Sequence, residues 1–311
     1  MKKLVSIFVP ARDEEKNIVE LINRIDSTIR KMCQFDFEMI LVNDGSKDKT
    51  GEIADDMSIN FPFLKVLHHR KGMGLTQAMK TGFAEVRGDY VLFLPADLEC
   101  DPREDIPKLM DKMITDDLDV VTGWRQGRGD GKNFASAIYN TVSKKLFKVD
   151  VHDMNWIKGF KREVLEDLEL RSDWHRFIVM MAAEKGYKID EVKTNWYPRL
   201  SGSSKFGLMR FPIALVDSLV VKFNMVFGSK PMQFFSLFGV ILMLLGVLGI
   251  LFLTYYYLVK DTQIRPLFTL STTLIIAGLQ LFITGFLAEL VVSQKDEISD
   301  LKKKIKDLKR R

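Results

Sequence analysis

The sequence is poor in the residues that staple or metallate small domains. Its 311 residues include only two cysteines, Cys33 and Cys100, and four histidines. Two distant cysteines give neither a disulfide framework nor a metal-ligand spacing, which suits a reducing compartment. Met1–Pro10 holds only a strand's worth of apolar side chains, so no cleaved secretory leader is expected. Charge is missing in a patterned way. Residues 231–259 contain no Asp, Glu, Lys or Arg, and neither do residues 266–288. Each stretch exceeds the roughly 20 apolar residues that cross a bilayer at about 1.5 Å per residue. Separated only by Lys260–Arg265, they predict a transmembrane hairpin over 231–294, with spans near 232–259 and 266–290. With no charge in residues 231–259 or 266–288 there is no polar pathway, which argues against a transporter.

The charges that are present set the orientation. Lys222 and Lys230 precede the first span, and residues 295–311 after the second are rich in Lys and Arg. The connecting loop carries only Lys260, Asp261 and Arg265. The positive-inside rule therefore expects an integral membrane protein with both termini and the soluble part in the cytoplasm. A net charge of +5, much of it in the tail, fits attraction to an anionic lipid bilayer better than to nucleic acid. Residues 208–230 are apolar but interrupted by Arg210, Asp217 and Lys222, the pattern of amphipathic interface helices. In the basic helical tail, 295–311, Ile298, Leu301, Ile305 and Leu308 continue a heptad spacing from Val291. That pattern predicts a homo-oligomer.

Residues 1–207 read as an α/β domain. Leu4–Val9 is a β-rich run stopped by Pro10, followed by a helical pattern over Asn17–Met32 with Ile18, Leu21, Ile22 and Ile25 on one face. The strand Phe37–Val42 ends at Asn43-Asp44-Gly45-Ser46, a turn cluster with a helix cap. Leu64–Leu67, the helix Thr76–Val86 and the strand Tyr90–Leu94 repeat the alternation. Strands that are apolar throughout and alternate with helices imply a Rossmann-like, mostly parallel sheet covered on both faces. Ligands bind such sheets beyond the carboxyl ends of the strands. Three polar clusters fall there: Arg12–Glu15, Asn43–Asp48 and Asp97–Asp101.

Asp97, Glu99 and Asp101 follow the last of these strands at alternating positions, a grouping that suits Mg²⁺ or Mn²⁺ shared with a diphosphate. An acidic turn is also a common solvated feature. Gly72-Met73-Gly74 invites a dinucleotide loop, but Gln77 stands where the third glycine belongs, which excludes the nicotinamide reading.

Taken together the segments resemble a known family. Val9-Pro10-Ala11-Arg12-Asp13-Glu14-Glu15-Lys16-Asn17-Ile18 is similar to the opening strand of family 2 glycosyltransferases of the GT-A fold, and Val42–Thr50 to their second nucleotide-binding motif. Arg70-Lys71-Gly72-Met73-Gly74, Asp97-Leu98-Glu99, Gly123-Trp124-Arg125, Asp153…Lys158, Trp174-His175-Arg176 and Pro198–Gly207 follow in the order of the polyprenyl-phosphate subgroup. That subgroup includes dolichol-phosphate mannose synthases and bacterial undecaprenyl-phosphate glycosyltransferases. One departure is Pro95, at a position where the family usually has a metal-binding aspartate.

The resemblance implies inverting transfer of a hexose from a nucleotide sugar (GDP-mannose, UDP-glucose or UDP-N-acetylglucosamine) to a polyprenyl or dolichyl phosphate. The nucleotide sugar is expected near Pro10, Arg12, Glu14, Asp44, Gly45 and Asp97, with the metal on Asp97 and Glu99. The acceptor is already anionic, so the site needs cations more than a strong base: Arg125, Lys132, Arg199 and Lys205 are the candidates. Asp153 is a candidate to orient the acceptor or a sugar hydroxyl, and also a plain salt-bridge or capping residue. His175 and Arg176 are weaker candidates, and Trp156 and Trp196 read as packing. Asp97, Asp153, Arg125, Arg199 and Lys205 are thus the expected catalytic set. A processive polysaccharide synthase is the nearest rival, but it would carry a Gln-x-x-Arg-Trp motif and more spans. A non-catalytic nucleotide-sugar-binding scaffold is the other, favoured only by Pro95.

Overall fold

The structure is a computed structural model that describes residues 2–127, 149–168, 170, 174–198, 220–223, 227, 228, 230–262 and 264–310. The chain divides into two compact units, Met1–Ser218 and Leu219–Arg311.

The first unit is built on one seven-stranded sheet, ordered β3-β2-β1-β4-β6-β5-β7. Its strands are β1 (Lys3–Ala11), β2 (Phe35–Asn43), β3 (Leu64–His68), β4 (Tyr90–Phe93), β5 (Val120–Gln126), β6 (Lys158–Lys161) and β7 (Ile189–Asn195). All neighbours run parallel except β6, which is antiparallel to both β4 and β5. The helices α1 (Ile18–Ile29), α2 (Thr50–Asn60), α3 (Leu75–Glu85) and α4 (Pro102–Thr115) connect the first five strands. Shorter helices α5 (Arg162–Asp167) and α6 (Ile178–Glu184) follow, the latter preceded by a 3₁₀ turn at Trp174–Phe177.

The apolar pattern explains the layers. In α1, Ile18, Leu21, Ile22 and Ile25 are all fully buried, joining Val5, Ile7, Val9, Met39 and Leu41 of the central strands in one core. On the opposite face Phe8 meets Phe83 of α3 and Phe93 of β4 edge-on or tilted, at centroid distances of 5.0 and 6.0 Å. The expectation that Pro10 stops β1 is corrected: the strand continues to Ala11, and Ala11 still pairs with Asn43. The reason is local. Phe8 turns its carbonyl to the β4 side, where it accepts from Leu94 N–H. Two residues on, Pro10 faces the same side, where β4 has ended, so its missing N–H removes no ladder bond.

The second unit is a helical hairpin. Helices α7 (Pro231–Lys260) and α8 (Arg265–Arg310) are both long and apolar enough to cross a membrane, α8 over its part Arg265–Ile298. Their seam is made of small residues. A Cβ on Gly278 would sit 2.5 Å from Gly239 O, and one on Gly246 would sit 2.6 Å from Ser271 O. Glycine lets two backbones approach where lipid supplies no hydrophobic drive between helices. Glu289 of α8 accepts a hydrogen bond from Met232 N–H (3.2 Å), satisfying one of the open donors at the start of α7.

Candidate functional site

The polar clusters gather at the carboxyl ends of β1, β2 and β4. Asp44, just beyond β2, is 4% exposed and is held by four neighbours. Its carboxylate accepts from Met73 N–H and Gly74 N–H, each at 2.8 Å, and lies 2.8 Å from His69 Nδ1. The Arg12 guanidinium approaches it at 4.0 Å. Burial pushes this carboxyl up, but the His69 bond and the two amides outweigh it and hold it below the ordinary range. An ionised carboxylate only accepts, so His69 Nδ1 carries the proton in this contact. Asp44 therefore shapes the Lys71–Gly74 loop.

Gly45 completes that arrangement. Its φ is +62°, and a Cβ there would collide with the backbone of Lys71 and Gly72. Gly72 is less constrained: a Cβ would lie 2.5 Å from the Arg12 guanidinium, the end of a flexible side chain that can move aside. Facing this loop, Asp13 accepts from Lys47 N–H (2.8 Å) while its own N–H donates to Ser46 Oγ (3.0 Å). Glu14 accepts from Asn17 Nδ2 (2.6 Å) and its N–H donates to Thr50 Oγ1 (2.8 Å), tying the start of α1 to the start of α2. Pro10 lies one step below, across from Val42. Pro10, Arg12, Glu14, Asp44 and Gly45 thus share one end of the sheet.

The acidic turn after β4 has a different construction. Ala96, Leu98 and Cys100 are buried while Pro95, Asp97 and Glu99 between them are half-buried. Leu98 has φ +56° although its side chain is 2% exposed. A left-handed leucine costs about 1–2 kcal/mol, held here by packing into the core. Glu99 N–H donates to Asp97 Oδ1 (3.2 Å), and Glu99 O accepts from Tyr197 N–H (2.9 Å). Asp101, grouped with these two by spacing, is engaged elsewhere: it caps α4 through Arg103 N–H and pairs with Arg103 and Arg24. Among the described residues no three His, Cys, Asp or Glu side chains converge on a possible ion position. A pair of carboxylates on one turn, Asp97 and Glu99, is what this surface offers a hard cation.

On the other side of β4 lies a cationic group. Arg125, at the end of β5, forks onto Asp153 through Nε (2.5 Å) and Nη2 (3.2 Å). Its guanidinium stacks 4.6 Å from the centre of the Trp156 ring. Trp156 is 4% exposed and donates Nε1–H to Thr194, so it packs and supports Arg125. Trp196 lies partly buried against the main core. His175 Nδ1 sits 2.9 Å from Thr76 Oγ1, joining the 3₁₀ turn to the start of α3. Lys132, Arg199 and Lys205 lie outside the described residues. Sequence reasoning missed His69, since a single histidine after a strand carries no motif, and it gave no role to Lys158, whose burial is set by the β4–β6–β5 pairing.

Residues 6–181 match Glycosyl transferase family 2. One relative is the dodecaprenyl-phosphate galacturonate synthase of Rhizobium johnstonii, 29% identical, covering 92% of this chain and 87% of the relative. Another is the undecaprenyl-phosphate 4-deoxy-4-formamido-L-arabinose transferase of Aeromonas hydrophila, 28% identical, with coverages of 93% and 88%. Among solved structures, the glucosyl-3-phosphoglycerate synthase of Mycobacterium tuberculosis with Mn²⁺, UDP and its product has a TM-score of 0.55 at 17% identity. It covers 71% of this chain and 80% of that chain, a likeness of fold. The family match takes in most of β1, the strands β2 to β6, the Asp44 loop, the Asp97 turn and the Arg125–Asp153 pair, and it spans more than half of the sequence; this chain belongs to glycosyl transferase family 2 and is a GT-A glycosyltransferase.

Proposed function

We propose that this enzyme transfers a sugar, with inversion, from a nucleotide sugar to the phosphate of a polyprenyl chain at the cytoplasmic membrane face. The observation that carries the reading is the extent of similarity. Alignment to the two polyprenyl-phosphate enzymes runs over 296 residues and takes in 92% and 93% of this chain, so it reaches well past the family domain and into the apolar hairpin. Their names point to galacturonate and a formamido-arabinose, so the donor set extends beyond GDP-mannose, UDP-glucose and UDP-N-acetylglucosamine.

The residues divide the work. The Arg12–Glu14 segment and the Asp44–Gly45 turn frame the nucleoside end, with the Lys71–Gly74 loop fixed on Asp44. Asp97 and Glu99 would hold Mg²⁺ or Mn²⁺, a donor set that fits hard cations completed by diphosphate oxygens and water. When bound, the ion neutralises charge that develops on the leaving diphosphate. Arg125 meets the acceptor phosphate, with Asp153 fixing its plane. An acceptor phosphate needs no strong base, because it is already ionised at neutral pH. Lys132, Arg199 and Lys205 remain proposed additional phosphate contacts, and interfacial residues 208–230 are proposed to hold the site at the headgroup level. Homo-oligomerisation through the tail belongs to the same reading, with Ile298, Leu301 and Leu308 exposed at 53%, 57% and 71%.

The test is transfer of label from a panel of nucleotide sugars to undecaprenyl phosphate by the full-length protein in detergent, with and without chelator. Label in the lipid phase from one donor, abolished by Asp97→Asn, is the expected result. Nucleotide binding without transfer from any donor would instead favour the scaffold. Crosslinking a chain truncated after Gln294 tests the oligomer, and an unchanged oligomer would sink that part.

A further inference from the structure

Lys158 is the first residue of β6, opposite Phe93 of β4 and Thr122 of β5. Its side chain is 2% exposed. Among the described residues its ammonium has one hydrogen-bond acceptor, Trp156 O at 2.7 Å, and a weak contact with the Phe93 ring at 5.4 Å. Neither carries a full negative charge. An ammonium taken out of water with one of its three donors satisfied is expensive, and a packed apolar side chain would serve the strand better. The charged groups acting on it are Asp153, which favours its protonated form, and Arg125, which opposes it; Phe93 and Thr122 on the flanking strands do not titrate.

The three charges form one group around Trp156. Trp156 accepts from Lys158 through its carbonyl, while its indole face carries Arg125. Asp153 is then a single carboxylate between two cations. Arg125 gives two of its five N–H groups to Asp153, so among the described residues three remain for another acceptor, and its side chain is 16% exposed. Lys158 is sealed and Arg125 is not. An anion arriving at the open side of Arg125 would meet a group whose excess positive charge comes from the buried lysine.

We propose that Lys158 is a positioning residue for the acceptor phosphate: it gives the Arg125–Asp153–Lys158 group its net positive charge and thereby strengthens the grip of Arg125 on that phosphate. The inference rests on the polyprenyl-phosphate reading and deepens it. Lys158 does not touch the substrate. Burial pushes its ammonium down to about 8, so the charge is present at neutral pH and is lost as the pH rises through that value. A phosphate monoester has its second ionisation near about 6, which leaves the alkaline window to the protein.

The experiment is calorimetric binding of farnesyl phosphate to the full-length protein in detergent, near pH 7 and near pH 9, with farnesol as the uncharged control. Wild type, Lys158→Met and Lys158→Arg are compared. We expect Lys158→Met to bind farnesyl phosphate roughly tenfold more weakly near pH 7, the scale of one charge interaction at protein-like dielectric. Wild type falls to the same affinity near pH 9, Lys158→Met does not change with pH, and Lys158→Arg keeps the affinity at both. Farnesol binds all three alike. Equal affinities of wild type and Lys158→Met near pH 7, or a loss that farnesol shares, would overturn the proposal. So would a wild type that binds no farnesyl phosphate. Should Lys158→Met fail to fold, the wild-type pH dependence alone decides, a flat profile overturning it. Lysine-dependent binding with no sugar transfer from any donor would instead overturn the functional reading and leave the phosphate-binding group standing.

Discussion

The two halves of the active-site end are built on opposite plans. On the proposed nucleotide side, carboxylates hold backbone amides: Asp44 takes Met73 and Gly74, Asp13 takes Lys47, and Asp48 takes Thr50 and Glu15. On the proposed acceptor side, side chains hold side chains, with Arg125 on Asp153 and on the face of Trp156. The first plan fixes the path of a loop and spends its charges doing so. The second has Lys158 buried behind a neutral pair, so the group of three carries one positive charge in excess. That difference suits a donor recognised by shape and an acceptor recognised by its phosphate.

The largest expected effect lies at the turn between the halves. Asp97→Asn should lower transfer by roughly a hundredfold or more, the scale of removing a group that stabilises developing charge. Labelled lipid formed per minute is the readout, and retained transfer would shift the chemistry away from this turn. Gly45→Ala breaks the nucleotide half by combining a positive φ with a backbone collision. We expect donor affinity to fall about tenfold or more, in keeping with strain of about 1–3 kcal/mol, while farnesyl phosphate binding is retained. Equal losses for both ligands would mean the halves are not separable. Arg125→Lys keeps the charge and loses the fork, so the acceptor KM should rise by roughly tenfold with the donor KM steady.

The smallest effect concerns Asp105, which lies outside both plans. It is 1% exposed, its Oδ1 has no partner among the described residues, and burial pushes its carboxyl up to about 7. A folded-state value above the ordinary 3.8 means the folded protein binds more protons than the unfolded chain in that window. Stability from this group is therefore complete at low pH and declines as pH rises from about 4 to about 7. Asp105→Asn should flatten that slope in denaturation curves and leave both KM values alone.

Much of this was legible in the residues. The α1 face of Ile18, Leu21, Ile22 and Ile25 reads as a core stripe and is one. The apolar strands, their alternation with helices and the two long apolar helices were equally plain, because apolar runs and periodicity are written in side-chain type. Antiparallel β6 was not, since four residues beginning with a lysine give no strand period. The placement of Asp97 beside Glu99 is local and readable. The diversion of Asp101 to Arg103 and Arg24 depends on a helix start and a residue far away in sequence. His69 and Lys158 owe their positions to neighbours that sequence distance hides.

Helix α8 runs unbroken from Arg265 to Arg310, 46 residues, or about 69 Å at the standard rise. A bilayer core accounts for about 30 Å of that. Were α8 to cross a bilayer, more than half of the rod would lie beyond the hydrocarbon, and it would act as a lever about the glycine seam with α7. A small tilt of the span becomes a large sweep at the tip. A spectroscopic label near Arg310 would accordingly act as an amplifier, reporting tilts in the membrane that a label inside it would barely register.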